Sequence, residues 1–371
     1  MEKVKRLINC SIPVSACNFH CNYCYISHYE GRRKNRMPKF KYDADYIGKA
    51  LSANRLGGIC LFNLCGDGET LLPREVPKII EALLKEGHFL EVVTNGTLTE
   101  RFDEIAKFDI ELLKRLEFKF SFHYMELLHT DTINDFFNNI KKMKKVGCSF
   151  TVELTPHDEL IPFIQDIKTV CKEKLGAFCQ VTVARNDASD MDYLTKLSLT
   201  EYKKTWGTFN SPMFEFKLST FGIKRKEYCY AGDWVLYVNL ETGKTSQCYC
   251  SRFEQNIFEN LNKPITFLPI GKNCTMPHCY NSHALLTLGA IPELDTITYS
   301  DVRNRQCDDG TEWLNPEVKE FFSGKFCENN AIYTTMEKIK KELQIGIINP
   351  KSILHGVRQK TSFIKRNFKK I

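Results

Sequence analysis

The residues best suited to chemistry stand near the start of the sequence, in Cys17-Asn-Phe-His-Cys21-Asn-Tyr-Cys24. Thiolates at i, i+4 and i+7 on one loop can converge on an iron–sulfur cluster. The run holds no fourth cysteine. Three ligands on a four-iron cluster leave one iron open, the logic that separates catalytic from structural zinc sites. A zinc site or unrelated buried cysteines are the plainer alternatives. Further on, Gly66-Asp67-Gly68-Glu69-Thr70 combines glycines that allow close backbone approach with a carboxylate that can accept from an ammonium group. A second set of thiols follows at Cys229, Cys248, Cys250, Cys274 and Cys279. Between the first two, Glu-Thr-Gly243-Lys predicts a hairpin turn that brings them together. In all, 16 cysteines in 371 residues are too sparse for a disulfide scaffold. In a cytoplasmic chain they point to metal or redox chemistry.

Position gives the first cluster its weight. Short apolar, β-branched runs at Leu7–Val14, Ile59–Cys65, Phe89–Thr94, Glu117–Phe122, Phe150–Leu154 and Gln180–Ala184 predict six strands. After the first, they start about thirty residues apart, the length of a βαβ unit. Between them, Pro73–Glu86 and Asp131–Val146 carry apolar residues at i, i+3, i+4 and i+7, the pattern of a helix with one buried face. Gly87 and Gly147 mark the ends of two such helices. Six β/α repeats predict an α/β fold with a parallel sheet covered by helices, either open and doubly wound or barrel-like, in which chemistry sits at the C-terminal ends of the strands. The three early cysteines follow the first strand directly. The character changes near residue 220, after which turns, short strands such as Trp234–Asn239 and helices such as Pro316–Phe322 and Thr335–Leu343 are expected.

Cys-x3-Cys-x-aromatic-Cys, with Tyr23 as the aromatic, resembles the defining motif of the radical S-adenosylmethionine (radical SAM) superfamily. The resemblance implies a partial (β/α)6 barrel. It implies that Cys17, Cys21 and Cys24 hold a [4Fe–4S] cluster whose open iron chelates SAM. It also implies reductive cleavage of SAM to a 5′-deoxyadenosyl radical that takes a hydrogen atom from substrate. Gly66, Gly68 and Glu69 lie in a segment similar to the family's GGEP motif, with Asp67 and Thr70 as departures, and would meet the SAM amino group. Asn95 after strand three and Ser121 after strand four fall where the family contacts SAM. His123 reads equally as a ligand or a structural histidine. Glu153, at the end of strand five, is a further candidate contact to SAM or substrate. The spacing Cys229-x13-Gly243-x4-Cys248 resembles the start of SPASM and twitch auxiliary domains, although the rest of the SPASM signature is missing. By that resemblance Cys229, Cys248, Cys274 and Cys279 would hold one auxiliary [4Fe–4S] cluster, with Cys250 as the alternative ligand. Structural zinc in the same thiols remains open. The domain reading is 1–220 for the core, 221–290 for a small cysteine-rich α+β auxiliary domain, and 291–371 for a helical extension with a basic tail. Cysteines 10, 60, 65, 148, 171 and 179 are read as core packing. Cys307 or Cys327 could return a hydrogen atom to a substrate radical.

The formal charge is +7. Residues 31–41 hold six basic residues and no acid, and residues 356–371 hold another six and no acid, so the remainder is net acidic. Such patches suit anionic partners. The first follows the cluster cysteines, so it is expected near the mouth of the site. The second places Ile364, Phe368 and Ile371 on one helical face, which fits peripheral contact with an anionic membrane surface. The segment before Cys17 is broken by Asn9, Ser11 and Pro13 and reads poorly as a signal peptide. The short lead before strand one, with no winged-helix pattern, tilts against leader-guided peptide chemistry. The preferred substrate is a sugar, a glycan or another small anionic metabolite, oxidised or epimerised, with a flavodoxin- or ferredoxin-type electron donor. The alternatives are modification of a ribosomal peptide or protein side chain, and a non-catalytic iron–sulfur or zinc protein that binds nucleic acid, a partner not otherwise expected.

Overall fold

The computed structural model describes residues 2–24, 26, 35–186 and 192–349. Residues 31–34 of the first basic patch, and the tail with Ile364, Phe368 and Ile371, lie outside the described residues. In chain order the first elements are β1 (Leu7–Ile12), α1 (Ala44–Ala50), α2 (Ala53–Leu56), β2 (Leu61–Gly66), α3 (Val76–Lys85), β3 (Phe89–Thr94), α4 (Thr99–Ile105), α5 (Ile110–Leu113) and β4 (Leu116–Ser121). Then come α6 (Tyr124–His129), α7 (Ile133–Lys145), β5 (Ser149–Leu154), α8 (Ile164–Leu175), β6 (Gln180–Val181), β7 (Arg185–Asn186), β8 (Asp192–Tyr193), α9 (Leu199–Gly207) and α10 (Pro212–Thr220). The remainder is β9 (Val235–Asn239), β10 (Lys244–Ser246), β11 (Glu254–Asn256), α11 (Ser282–Leu285), α12 (Tyr299–Arg303), α13 (Pro316–Ser323) and α14 (Thr335–Ile348).

Strands β1 to β6 pair in sequential order and in parallel. Side chains alternate across each strand, and the two faces bury different things. The outer face, with Ile8, Cys10, Phe62, Leu64, Leu90, Val92, Phe118 and Phe120, packs in one core with the helices. The apolar stripes of α3 (Ile79, Ile80, Leu83) and α7 (Phe136, Phe137, Ile140) belong to that core. Sequential order with this helical layer on one face is a singly wound, partial (β/α)6 barrel, not a doubly wound sheet.

The inner face is built in rows set by strand register. Leu7, Leu61, Phe89 and Val235 form an apolar row capped by Tyr299, Val302, Phe321 and Phe322 of α12 and α13. Next comes a polar row, Asn9, Asn63, Glu91 and Glu117. Above it, Ser11 sits beside Cys65 and Asn239, and Val93 beside Lys119 and Thr151. Ser121 and Glu153 form the last pair, at the C-terminal edge. Ser11 is exposed although its strand has neighbours on both sides. The C-terminal half of the inner face is therefore an open cavity.

Strand β6 is shorter than Gln180–Ala184. Past Val181 the backbone leaves the sheet, and the Ala184 N–H donates to the Tyr202 hydroxyl (3.2 Å). The segment after residue 220 does not stand apart from the sheet. Strand β9 pairs in parallel with β1, and β10 and β11 extend the sheet antiparallel. Gly243, at φ +78°, makes the expected turn between β9 and β10.

Candidate active site

The cysteine loop leaves β1 at Ile12 and is held by residues that follow four other strands. Gly68 N–H donates to Val14 O (2.7 Å) and Glu69 N–H to Ala16 O (3.0 Å), so the glycine-rich turn after β2 runs against the backbone just before Cys17. A Cβ on Gly68 would lie 2.7 Å from the Ala16 carbonyl carbon, which is why only glycine fits there. Asn95, after β3, donates to Asn18 Oδ1 (2.7 Å), and Asn18 donates to Thr97 (2.9 Å). His20 N–H donates to Glu126 (3.0 Å), and Asn22 to Glu159 (2.8 Å). Tyr23 bonds His123 Nδ1 at 2.7 Å and stacks on His157 with ring centroids 4.0 Å apart. The loop is thus pinned to the C-terminal ends of β2 to β5.

Cys21 is buried, while Cys17 and Cys24 are half-buried. Burial pushes the Cys21 thiol up to about 12, and the neighbouring Glu126, Cys24 and Cys17 add to the shift, although a bond from Tyr23 opposes it. The three thiols therefore sense one another. Among the described residues no three histidine, cysteine, aspartate or glutamate side chains are gathered closely enough to hold one bare metal ion. Burial holds His123 down to about 4, with His157 adding to it, so its ring is neutral near pH 7.

Glu69 is buried, and both of its oxygens are engaged. They accept from Leu71 N–H (3.0 Å), Thr94 (2.7 Å) and Asn95 N–H (2.7 Å). Burial raises its pKa even so. The carboxylate that sequence reading offered to an ammonium ligand also ties the β2 turn to the β3 turn. Glu153 is engaged in a similar way. Lys119 lies 3.0 Å from it and Arg303 bonds it directly. Burial works to raise its pKa, but Lys119, Arg303 and Lys217 together hold it down at about 2.

Arg303, fully buried on α12, also reaches Glu117 (2.9 Å) and Glu91 (3.5 Å). Burial holds Glu117 up at about 7 against the pull of Arg303, and Glu91 adds to the rise. This charged layer was missed by sequence reading. Its one signal was polar residues at every second position of otherwise apolar strands.

Cys65, read as packing, is half-exposed on the inner face beside Ser11. Cysteines 10, 60, 148, 171 and 179 are buried with the outer-face core, as expected. Cys307 lies in that same core, its thiol donating to Leu175 O (3.2 Å). Cys327 lines a surface pocket with Lys5, Arg6 and Asp233, at the N-terminal end of β1. Neither position adjoins the cysteine loop. Arg36, from the basic stretch, does: its N–H bonds Ser15 (3.0 Å), and its guanidinium is neutralised by Glu241 (2.5 Å).

All five later cysteines, 229, 248, 250, 274 and 279, line one apolar pocket together with Tyr249 and Tyr280. Cys250 and Cys274 stand 3.8 Å apart, sulfur to sulfur. Burial pushes Cys229 up to about 12. Tyr249 stacks edge-on toward Tyr280 and lies 5.1 Å from the Tyr237 ring of β9, so this pocket borders the barrel cavity.

Residues 11–160 match the sequence profile of the Radical SAM superfamily. The matched segment runs from the end of β1 through β5 and carries the cysteine loop. A match to that superfamily implies a [4Fe–4S] cluster and SAM, and the donor set fits: three thiols on one pinned loop, two of them half-buried beside an open cavity. A sequence search of curated proteins returns no match. Among solved structures, SuiB of Streptococcus suis bound to S-adenosylmethionine aligns with TM-score 0.48 and 15% identity over 69% of this chain. The chain spans 64% of SuiB's length. Native anSMEcpe with bound AdoMet aligns with TM-score 0.44 and 16% identity over 95% of this chain and 99% of that one.

Proposed function

We propose that this chain is a radical SAM enzyme that cleaves SAM reductively and oxidises or epimerises a sugar, glycan or other anionic metabolite. The observation that carries this reading is the pinned Cys17-Cys21-Cys24 loop opening onto a polar cavity at the C-terminal ends of the strands. When bound, the cluster and SAM supply the 5′-deoxyadenosyl radical that removes a hydrogen atom from a substrate C–H bond. The chain's own residues position and enclose. Tyr23 fixes the loop against His123 and His157. Gly66 and Gly68 let the backbone approach, Glu69 orients the Asn95 turn, and Ser121 offers a half-exposed hydroxyl at the cavity rim. Glu153 holds Lys119 in place beneath it. A reduced flavodoxin- or ferredoxin-type protein would supply the electron.

Four of the five later cysteines would hold a second cluster, in a twitch-like arrangement. Our first assignment is Cys229, Cys248, Cys274 and Cys279. The closeness of Cys250 to Cys274 makes Cys250 an equal claimant, and 3.8 Å is also about the spacing of two thiolates on one tetrahedral zinc with Zn–S near ~2.3 Å. Iron and zinc analysis decides between the two metals.

A second reading keeps the chemistry and takes a peptide side chain as substrate. The tyrosine wall of Tyr237, Tyr249 and Tyr280 beside the cavity supports it. The cytoplasm is proposed because all 16 cysteines are free thiols. No helix among the described residues is long and apolar enough to cross a membrane. Met336, Ile339, Leu343 and Ile347 are exposed along α14, just before the basic tail, and would be the face that meets an anionic lipid surface.

The test is air-free incubation of the reconstituted chain with dithionite and SAM. The reading expects 5′-deoxyadenosine, and none from Cys21→Ala. Equal product from that variant rejects it. No product from either leaves only the iron–sulfur or zinc binding protein.

A further inference from the structure

The cavity floor holds a cation that its neighbours do not neutralise. Lys217, on α10, reaches Thr182 Oγ1 at 2.5 Å, just beyond β6. Among the described residues no carboxylate lies within ion-pair distance of it. The carboxylates of the floor are already engaged: Glu153 by Lys119 and Arg303, Glu91 and Glu117 by Arg303. Lys217 is half-buried rather than sealed, and it lies close enough to the inner-face pair Glu153 and Lys119 for both to act on it.

We propose that the cavity floor binds an oxyanion of the substrate, carboxylate or phosphate, through the Lys217 ammonium with Lys119 beside it. This rests on the radical SAM reading of the cavity and names the substrate class. The charge pattern supports it. Burial lowers the Lys217 pKa to about 7, Glu153 alone works to raise it, and Lys119, Arg185 and Arg303 lower it further. His283, on α11, is the remaining titratable neighbour, and burial together with these same cations keeps it neutral. An anion placed among these groups relieves their repulsion and restores the Lys217 proton. Binding therefore takes up a proton above pH 7 and weakens as pH rises. Lys119 lies one inner-face step below Ser121, so the floor sits deeper than the rim where SAM is expected.

The test is competitive acylation of the intact chain at pH 7 with an amine-reactive ester, read by peptide mass mapping, with exposed Lys85 as reference. Lys217 should label faster than Lys85, whose pKa is raised by its bond to Glu81. An adjacent opposite charge moves a pKa by about one to three units, so inorganic phosphate or succinate should slow Lys217 at least about fivefold at pH 7 and leave Lys85 unchanged. Shielding by phosphate alone points to a phosphorylated substrate, and by succinate alone to a carboxylate. If neither anion slows the labelling, or if SAM alone does, the proposal is overturned. No turnover is involved, so this outcome is separable from a failure to cleave SAM.

Discussion

Gly68→Ala is the sharpest perturbation of the site that leaves every candidate ligand in place. Its Cβ would lie 2.7 Å from the Ala16 carbonyl carbon and 2.9 Å from that of Ser15. Both are backbone atoms, so no rotamer relieves the clash. Carbon–carbon contact becomes favourable near ~3.5 Å, and the Ala16 carbonyl oxygen lies closer still, so the two backbones must part by at least about 0.8 Å. That stretches Gly68 N–Val14 O from 2.7 Å to about 3.5 Å and Glu69 N–Ala16 O from 3.0 Å to about 3.8 Å, past useful hydrogen-bond length. Two lost bonds cost about 1 kcal/mol each, and overpacking adds about 1–3 kcal/mol, for a local penalty of about 3–5 kcal/mol. The lower figure is about a hundredfold in an equilibrium. The strain falls on the residue before Cys17. Anaerobic equilibrium dialysis with labelled SAM should show affinity reduced by about that factor, with circular dichroism still native. Gly207→Ala is the control. Its Cβ would meet only Glu215 Oε1, at 3.8 Å, and alanine suits the end of α9 better than glycine. Undiminished SAM binding by Gly68→Ala would refute the idea that this turn sets the cysteine loop.

Arg303→Met should destabilise the chain by about 3–5 kcal/mol, because it leaves the buried Glu91 and Glu117 without a cation; urea unfolding measures it. Glu117 has a folded pKa of about 7, above its ordinary 4.5. Its contribution to stability is present below pH 4.5 and is lost as pH rises to 7, so Glu117→Gln should gain on the parent at pH 8 relative to pH 5. His88 accepts from Cys60 N–H (3.1 Å) and donates to Leu51 O (2.9 Å), and burial lowers its pKa to about 4. Stability should therefore fall by about 3 kcal/mol between pH 6.5 and 4 on its account, a loss that His88→Gln should abolish in the same unfolding assay. Tyr23→Phe keeps the stack on His157 and loses the bond to His123, so cluster iron should survive while the loop loosens by about 1 kcal/mol, read as faster iron loss to a chelator.

Much of the fold was legible because six strands and two long helices obey simple periods. Phe89–Thr94 is bounded in the structure as its pattern predicts, and the other long strands shift by at most two residues at an end. The Cys17-Cys21-Cys24 loop was legible because its ligands are local in sequence. The charged layer was not. Arg303 meets Glu91, Glu117 and Glu153 from 150 or more residues away, and no local pattern announces a tertiary ion pair. The partners of Glu69 and Glu153 were hidden for a related reason. A carboxylate in a strand-end motif looks available in sequence, and only packing reveals the backbone amides and cations that already occupy it. The union of β9 with β1 was hidden because a composition change marks where a sequence alters character, not which edge a later strand joins.

The most direct test of the central claim is electron paramagnetic resonance of the reduced chain, prepared without air, before and after SAM is added. The account predicts a cluster signal that changes shape with SAM, and a SAM-responsive part that vanishes in Cys21→Ala while signal from the second cysteine set persists. A spectrum indifferent to SAM, or one in which Cys21→Ala retains the response, would contradict it.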